Sequence, residues 1–254
     1  MTSFKNQNIL ITGATSGLGK KLSIYFNKKV RRLICSGKTL SKVNNLKKIL
    51  NNKKNSYYCG DFSKSNELNL FIKNLRKLGP FDIIIHCLGG GLGIKEDLIS
   101  EENFIKLMKV NLISISQINN EVIKMKKIKK KYCTIIHISS VASLESTASI
   151  GYSSAKAALN VYSKILSKKF ISKNIFVKNL MLGAFETSDN SFGRLKKNNI
   201  KAYNDFKTQR LPRKKYATEK DIIPVIEFLI ESKSNILAGS EIVTDFSELN
   251  SFRN

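Results

Sequence analysis

Short apolar runs alternate with longer amphipathic stretches along this chain. The apolar runs are rich in β-branched residues and fall at 8–12, 32–35, 56–59, 82–86, 134–138, 175–177 and 241–244. Strands separated by segments of helical length pair in parallel, because antiparallel neighbours would need only a short turn. With right-handed crossovers, the pattern predicts an α/β fold: a doubly wound parallel sheet of about seven strands with helices on both faces.

The composition favours one globular domain. The chain has 254 residues, of which 42% are hydrophobic and 25% charged, and this excludes collagen, a disulfide scaffold and general disorder. We find no internal repeat, and with only three prolines to mark linkers we predict a single domain over residues 1–254. Residues 188–215 are the least regular stretch, and they predict a lid or mobile loop beside the substrate.

The charge is strongly positive. Lys and Arg number 44 against 19 Asp and Glu, which gives a net charge of +25 and raises nucleic acid or an acidic partner as candidates. The cations are spread along the chain, and no basic stripe carries interleaved aromatic residues. We therefore interpret most of them as solvated surface and expect no specific nucleic-acid partner, whereas sequence-selective duplex binding that persists at physiological salt would favour one.

The cysteines and the amino-terminal segment predict the compartment. Cys35, Cys59, Cys87 and Cys133 are isolated and the chain has two histidines, so we expect neither a metal site nor disulfides. The first strand pattern begins at once, without a secretory leader, and no apolar run reaches the roughly 18 residues of a membrane span. A cytoplasmic protein that does not enter the membrane is the expectation.

A glycine-rich turn separates the first strand from a helix. Residues 12–19 read Thr-Gly-Ala-Thr-Ser-Gly-Leu-Gly. Glycines let the backbone approach a pyrophosphate, and the amino end of the helix supplies free N–H groups and a positive dipole end. The spacing G-x-x-x-G-x-G is neither that of a P-loop nor G-x-G-x-x-G, and a turn without a ligand is the alternative. The predicted phosphate-binding residues are Gly13, Thr15, Ser16, Gly17, Leu18 and Gly19.

Tyr152 and Lys156 are one helical turn apart. On one face of a helix, the ammonium group would stabilise the phenolate and lower the pKa of the tyrosine. Only this copy of the pattern follows a strand that ends in Ser139-Ser140, at the edge where ligands bind such sheets. Three other Tyr-x-x-x-Lys quartets show that the pattern alone says little: Tyr25 to Lys29, Tyr203 to Lys207 and Tyr216 to Lys220.

Together these features resemble the short-chain dehydrogenase/reductases, and in particular members similar to 3-oxoacyl-carrier-protein reductase. The resemblance covers nearly the whole chain and implies a Rossmann-like oxidoreductase domain that interconverts a carbonyl and a secondary alcohol. It rests on the glycine-rich turn, Asp61, Leu88-Gly89-Gly90, Asn111, Ser139-Ser140, Tyr152, Lys156 and residues 179–187.

The resemblance implies four catalytic roles. Tyr152 would be the general acid, and Lys156 would lower its pKa and bind the nicotinamide ribose. Ser140 would bind the substrate oxygen, and Asn111 would hold a kinked helix and a water. A loop serine and a satisfied helix asparagine are the alternatives. Because Ser140 lies 12 residues before Tyr152, one fewer than is usual in the family, Ser139 could take its role instead.

The same resemblance implies a nicotinamide dinucleotide. Asp61 with Phe62 would contact the adenine, Leu88 and Gly89 would support the ribose, and Gly183 with Thr187 would meet the nicotinamide end. The second strand lacks an acidic end that would accept from a ribose 2′-hydroxyl; it continues into Lys38, which suits a 2′-phosphate. NADP(H) is therefore favoured over NAD(H), although Lys38 could simply belong to the lysine excess.

The sequence departs from the family pattern at His86 and Leu182. His86 stands where asparagine is common, and we expect a structural replacement that points along the cofactor. Leu182 replaces a proline. Cations in the 188–215 stretch suggest an anionic substrate, sugar-derived or bound to an acyl carrier: Arg194, Lys196, Lys197, Lys201 and Lys207.

Two further expectations concern partners and activity. The family implies a homodimer or homotetramer built on helices near residues 102–127 and 152–172. A catalytically silent nucleotide-binding scaffold or sensor is the alternative function, and it would show the glycine-rich turn without the Tyr-Lys pair.

Overall fold

The computed structural model describes residues 4–126, 132–146 and 148–251. All strand pairs in this part of the chain are parallel, and they form one sheet. The strands are β1 (Asn8–Thr12), β2 (Arg32–Gly37), β3 (Ser56–Cys59), β4 (Ile83–His86), β5 (Cys133–Ser140), β6 (Ile175–Leu182) and β7 (Glu241–Thr244). Their order is β3-β2-β1-β4-β5-β6-β7. The predicted doubly wound sheet of seven strands is confirmed.

Helices connect the strands and cover both faces of the sheet. Successive residues of β1 point to opposite faces, so Ile9 and Ile11 join one core and Leu10 joins the other. Because the strands are buried on both faces of the sheet, their sequences are almost continuously apolar. The α-helices are α1 (Gly17–Phe26), α2 (Leu40–Leu50), α3 (Ser65–Leu78), α4 (Glu101–Met108), α5 (Ser114–Lys126), α6 (Ile150–Phe170), α7 (Ser191–Asn198), α8 (Ile200–Arg210) and α9 (Glu219–Ile230).

A π-helical turn at Lys109–Ile113 joins α4 to α5. The hydroxyl of Ser114 donates to the carbonyl oxygens of Lys109 and Phe62, both at 2.7 Å, and so supports the wider turn. Such turns bend a helix and often lie at functional sites. Asn111, where the resemblance implies a kink, lies in this turn.

Strand β6 extends beyond the apolar run that predicted it. The prediction ended at Val177 because Lys178 and Asn179 are polar, yet both are buried. The Lys178 ammonium donates to the Leu229 carbonyl oxygen at 2.5 Å and to Ser234 Oγ at 2.6 Å. Burial lowers the pKa of Lys178 to about 8. Hydrogen bonding to α9 and the turn after it therefore lets a lysine occupy a central strand.

Most of residues 188–215 are helical, in α7 and α8, although the sequence pattern there is the least regular. Asn190 caps α7 by accepting from Gly193 N at 2.9 Å, and Asn199 caps α8 by accepting from Ala202 N at 2.9 Å. Aromatic side chains of this stretch form a small core of their own around Tyr203 and Tyr216, with Phe192 and Phe206 packed against it. The position of this helix pair beside a substrate stays a prediction.

Two further features concern helix length and the cysteines. Within residues 4–126, 132–146 and 148–251, no helix is long and apolar enough to cross a membrane. None of the four cysteines, all of which lie in this part of the chain, forms a disulfide, and Cys35 and Cys133 are buried.

Candidate active site

The glycine-rich turn lies where β1 ends and α1 begins. Gly13 has a φ of 67°, and a Cβ there would lie 2.7 Å from the Cys87 carbonyl oxygen. A Cβ on Gly19 would overlap the Gly13 carbonyl. Only glycine therefore fits these two positions, and the turn presents bare backbone at the amino end of α1.

The first N–H group of α1 binds a carboxylate. Gly17 N donates to Asp189 Oδ1 at 2.9 Å, and Thr187 Oγ1 donates to the same oxygen at 3.3 Å. The turn thus holds an anion where the helix dipole is positive, as a pyrophosphate site requires. Asp189 was not predicted, because its only local signal in the sequence is a polar Thr-Ser-Asp-Asn run before a helix.

Two of the predicted turn residues point inward. Thr15 is buried against Gly37, and Leu18 belongs to the core beneath the sheet. Ser16 has an extended backbone and is the residue before α1. A ligand at this turn would therefore contact the backbone of Thr15 and Leu18 and not their side chains.

Lys38 and Asp61 lie together at the rim. Lys38 Nζ is 2.9 Å from Asp61 Oδ2, and the lysine side chain is 67% exposed. Hydrogen bonds from Lys38 and Ser63 outweigh partial burial and hold the pKa of Asp61 below its usual range. Phe62, by contrast, is buried, and its ring stacks on Phe71 with centroids 4.6 Å apart. A ligand at this rim could meet the Phe62 backbone but not its ring.

Asn111 fixes the loop after β4. Its side chain accepts from Gly90 N at 2.9 Å and donates to the Gly90 and Leu107 carbonyl oxygens at 3.1 and 3.0 Å. Gly89 has a φ of 130°, and a Cβ there would lie 3.2 Å from Lys156 Nζ. Asn111 therefore does more than satisfy its own helix, because it holds Gly89 and Gly90 beside the predicted catalytic lysine. Leu88, just before them, packs against the core between the sheet and α5.

Tyr152, Ser140 and Lys156 converge at the carboxyl end of β5. Burial raises the pKa of the Tyr152 phenol, and the hydrogen bond with the Ser140 hydroxyl lowers it by less, so in the ligand-free protein this pKa is not lowered as the sequence predicted. Lys156 Nζ lies 5.8 Å from the centre of the tyrosine ring and donates to the Ile138 carbonyl oxygen at 2.8 Å. Burial lowers the pKa of Lys156 to about 8. The phenol is therefore protonated at neutral pH, as a proton donor must be.

The strand pleat separates the two candidate serines. Ser139 is buried, and its hydroxyl donates to Asn160 Oδ1 at 2.6 Å. Ser140 points to the opposite side and is the residue that contacts Tyr152. The geometry thus favours Ser140 over Ser139 as the serine of the site.

Proximity of lysine to tyrosine does not by itself mark the site. Lys29 Nζ lies 3.6 Å from the centre of the Tyr25 ring, closer than Lys156 lies to Tyr152. The Tyr25 phenol donates to Glu227 at 2.8 Å on the outer surface of α1 and α9. The adjoining serine and the sheet edge are what distinguish the Tyr152 copy.

The segment after β6 packs against a turn at residues 245–248. A Cβ on Gly183 would lie 2.6 Å from Asp245 Cβ and 2.7 Å from Glu248 Oε2. Glu248 Oε2 accepts from Ala184 N at 2.5 Å, and burial raises the pKa of this carboxyl group. Leu182, which directly precedes Gly183 in the sequence, is buried in the core.

A sequence model of the family described as short chain dehydrogenase matches residues 7–197. The chain belongs to this family. The 3-oxoacyl-[acyl-carrier-protein] reductase FabG of Buchnera aphidicola subsp. Schizaphis graminum is 27% identical over 94% of this chain and 95% of its own length.

Two solved structures are similar to this short-chain dehydrogenase. L-sorbose reductase from Gluconobacter frateurii, complexed with NADPH and L-sorbose, superimposes with a TM-score of 0.88 over 98% of this chain and 99% of that chain, at 19% identity. A 4-hydroxyisoleucine dehydrogenase complexed with NADH has a TM-score of 0.79 over 95% of this chain and 99% of that chain, at 25% identity.

Both histidines of the short-chain dehydrogenase lie in a buried network beneath the site. Thr12 Oγ1 donates to His86 Nδ1 at 3.1 Å, and His86 Nε2 donates to Asn119 Oδ1 at 2.9 Å. Asn119 Nδ2 donates to His137 Nε2 at 2.9 Å, and His137 Nδ1 donates to Ser163 Oγ at 2.6 Å. This assignment of tautomers, made from the network, gives every ring nitrogen a partner.

The network makes His86 a structural residue, as the sequence predicted. Its ring is fully buried between Thr12 and Asn119, so it does not point along a cofactor as expected. Burial lowers the pKa of His86 to about 4 and that of His137 well below its usual value. Both rings are therefore neutral at physiological pH.

Acid should destabilise the protein through His86. Its pKa is depressed in the folded state, so the unfolded chain binds the extra proton, and the free energy of unfolding should fall as pH drops from about 6.5 toward 4. The contribution of His86 is about 3 kcal/mol over that range. Urea unfolding of the wild type and of His86→Asn at several pH values measures it.

The His86→Asn variant should lose less stability than the wild type between about pH 6.5 and 5, where few carboxylates titrate. The double variant with His137→Asn should lose less still, because the chain has no third histidine. Parallel stability curves for all three proteins would contradict the assignment.

Proposed function

We propose that this protein is an NADP(H)-dependent oxidoreductase that interconverts a carbonyl group and a secondary alcohol. The observation that carries the proposal is the convergence of Ser140 and Lys156 on the Tyr152 phenol, at the same sheet edge as an anion-binding glycine turn. A proton donor at the same sheet edge as a phosphate-binding turn is what hydride transfer from a nicotinamide dinucleotide to a carbonyl requires.

The residues present fit a nicotinamide dinucleotide. The turn from Gly13 to Gly19 would hold the pyrophosphate, since its backbone already binds a carboxylate. Lys38, Asp61 and the Phe62 backbone would hold the adenosine half. Leu88, Gly89, Gly183, Thr187 and Lys156 would hold the nicotinamide half. When bound, the cofactor supplies or accepts a hydride at the substrate carbon.

The protein's own residues then manage the proton. In reduction, the carbonyl oxygen takes the Tyr152 proton, and the Ser140 hydroxyl stabilises the charge that develops on that oxygen. The Lys156 ammonium stabilises the phenolate left behind until solvent returns the proton. Asn111 positions the Gly89-Gly90 loop against Lys156 and so keeps the ammonium in place.

The alternative is a catalytically silent protein that binds nucleotide as a scaffold or sensor. The presence of the Tyr152, Lys156 and Ser140 constellation disfavours it, because a scaffold needs only the glycine turn. Nucleotide binding without turnover of any carbonyl would favour the scaffold.

Lys38 supports NADP(H) over NAD(H). Solved relatives carry NADPH in one case and NADH in another, so the fold leaves the choice open. The Lys38 side chain is 67% exposed, although its partner Asp61 is only 18% exposed. An exposed ammonium just after β2 suits a ribose 2′-phosphate.

A basic cavity supports an anionic substrate or carrier. Its volume is about 480 Å³, and it borders Thr187 between α1 and the α7–α8 pair. Four lysines line it with two glutamates: Lys21, Lys207, Lys214, Lys215, Glu186 and Glu219. Lys21 pairs with Glu219, while Glu186 pairs with Lys196 outside the cavity, so the lining keeps an excess of positive charge.

Self-association is the expected quaternary state, as a homodimer or homotetramer. Exposed apolar side chains on α4, on the π-helical turn after it and on α6 support pairing through this part of the chain: Ile105, Ile113, Val161 and Ile165. Residues 127–131, whose lysines could oppose close pairing, lie outside the described part of the chain.

Calorimetric titration should show that NADPH binds more tightly than NADH, and it suits a chain without tryptophan. Lys38→Glu should weaken NADPH binding by at least about tenfold and leave NADH binding nearly unchanged, because only NADPH carries the 2′-phosphate. Lys53→Glu, an equal charge change on an exposed turn, is the control. Equal loss in both variants would mean that only net charge matters.

Removing the Tyr152 hydroxyl should abolish reduction without abolishing binding. Tyr152→Phe should lower kcat by about 10²- to 10⁴-fold across a panel of ketones, while the Kd for NADPH changes little. Tyr25→Phe is the matched control, since Tyr25 also lies beside a lysine one turn away. Undiminished turnover in Tyr152→Phe would remove Tyr152 from the mechanism.

Charge on the substrate should accelerate turnover at low salt. A phosphorylated ketone should show a higher kcat/KM than its neutral analogue at about 50 mM salt, and the advantage should shrink near 500 mM as screening rises. Equal rates that do not respond to salt would exclude an anionic substrate as the reason for the basic lining.

A further inference from the structure

Asp189 occupies the amino end of α1 in the ligand-free protein. Its Oδ1 atom accepts from Gly17 N at 2.9 Å and from Thr187 Oγ1 at 3.3 Å. The first turn of α1 has no acidic residue of its own, and in the described part of the chain Ser16 makes no side-chain cap. A carboxylate 172 positions further along the sequence therefore satisfies the first helix N–H group.

Neighbouring contacts hold this carboxylate in place. Arg194 Nη1 donates to the Asp189 carbonyl oxygen at 2.7 Å. Asn190 caps α7 and also donates to the Phe185 carbonyl oxygen at 2.7 Å. Asp189 thus lies in the short segment that connects β6 to α7, and its hydrogen bond with Gly17 holds the start of α7 against α1.

We propose that Asp189 is an internal competitor of the cofactor pyrophosphate and sets the affinity for the dinucleotide. This inference rests on the proposed function, since it assigns the same N–H groups to both anions. Two anions cannot share one helix end without strong repulsion, so the Asp189 carboxylate leaves Gly17 when the pyrophosphate binds. Cofactor binding then unfastens the start of α7 from α1.

Asp189→Asn tests the competition, because the amide keeps the shape and loses the charge. The variant should bind NADPH about two- to thirtyfold more tightly than the wild type, the range set by one charge at a helix end. Asp205→Asn is the matched control, since Asp205 is an exposed carboxylate on α8. Unchanged or weaker binding by Asp189→Asn, or an equal gain in Asp205→Asn, would overturn the proposal.

A second measurement distinguishes displacement from simple repulsion. If the carboxylate leaves on binding, its contact stabilises only the ligand-free protein, so the folding equilibrium constant of ligand-free Asp189→Asn should fall by the factor by which affinity rises. Tighter binding without loss of ligand-free stability means repulsion alone and overturns displacement. Lower stability without tighter binding means that the contact survives, and overturns it too.

The same titrations with inorganic pyrophosphate separate this inference from the proposed function. If neither the wild type nor either variant binds NADPH or NADH, the proposed function fails. Pyrophosphate that binds Asp189→Asn more tightly than the wild type would still support the competition at α1, and equal pyrophosphate binding would overturn it.

Discussion

The candidate site depends on the register of four adjacent parallel strands, β1, β4, β5 and β6. Thr12 pairs with His86, His86 with His137, and His137 with Asn179, so one polar row crosses β1, β4, β5 and β6. A slip of one residue would turn this row to the other face and bury its polar groups without partners. Asn119 on α5 and Ser163 on α6 hydrogen-bond the two histidines of the row and so fix both helices against the sheet.

This neutral row allows a cation to be buried just beyond it. Lys156 is 4% exposed and donates to the Ile138 carbonyl oxygen in the residue after His137. A protonated histidine nearby would repel the ammonium, and the Lys156 charge in turn helps to lower the pKa of His137. Burial lowers the pKa of Lys156 to about 8, which still leaves the ammonium charged at neutral pH. A neutral His137 beside it adds no repulsion.

Local pattern was enough to predict the strands, the glycine turn and the Tyr152-Lys156 face, because each depends on neighbours in sequence. The α7–α8 pair was missed because its order comes from packing between Phe192, Phe206 and Tyr216, which the polar composition of the segment concealed. Asp189 and Glu248 were missed for a related reason. Each binds a backbone N–H that the fold alone brings near, so no spacing in the sequence indicates the contact.

The segment between β6 and α7 links the two halves of the site mechanically. At its start, Gly183 and Ala184 are held by Asp245 and Glu248, so this end cannot shift without disturbing the last turn of the chain. At its end, Asp189 touches α1 through a contact that an incoming anion can replace. One end is therefore fixed and the other exchangeable. If an anion at the glycine turn displaces Asp189, the start of α7 loses its contact with α1 while Gly183 and Ala184 keep theirs with Asp245 and Glu248.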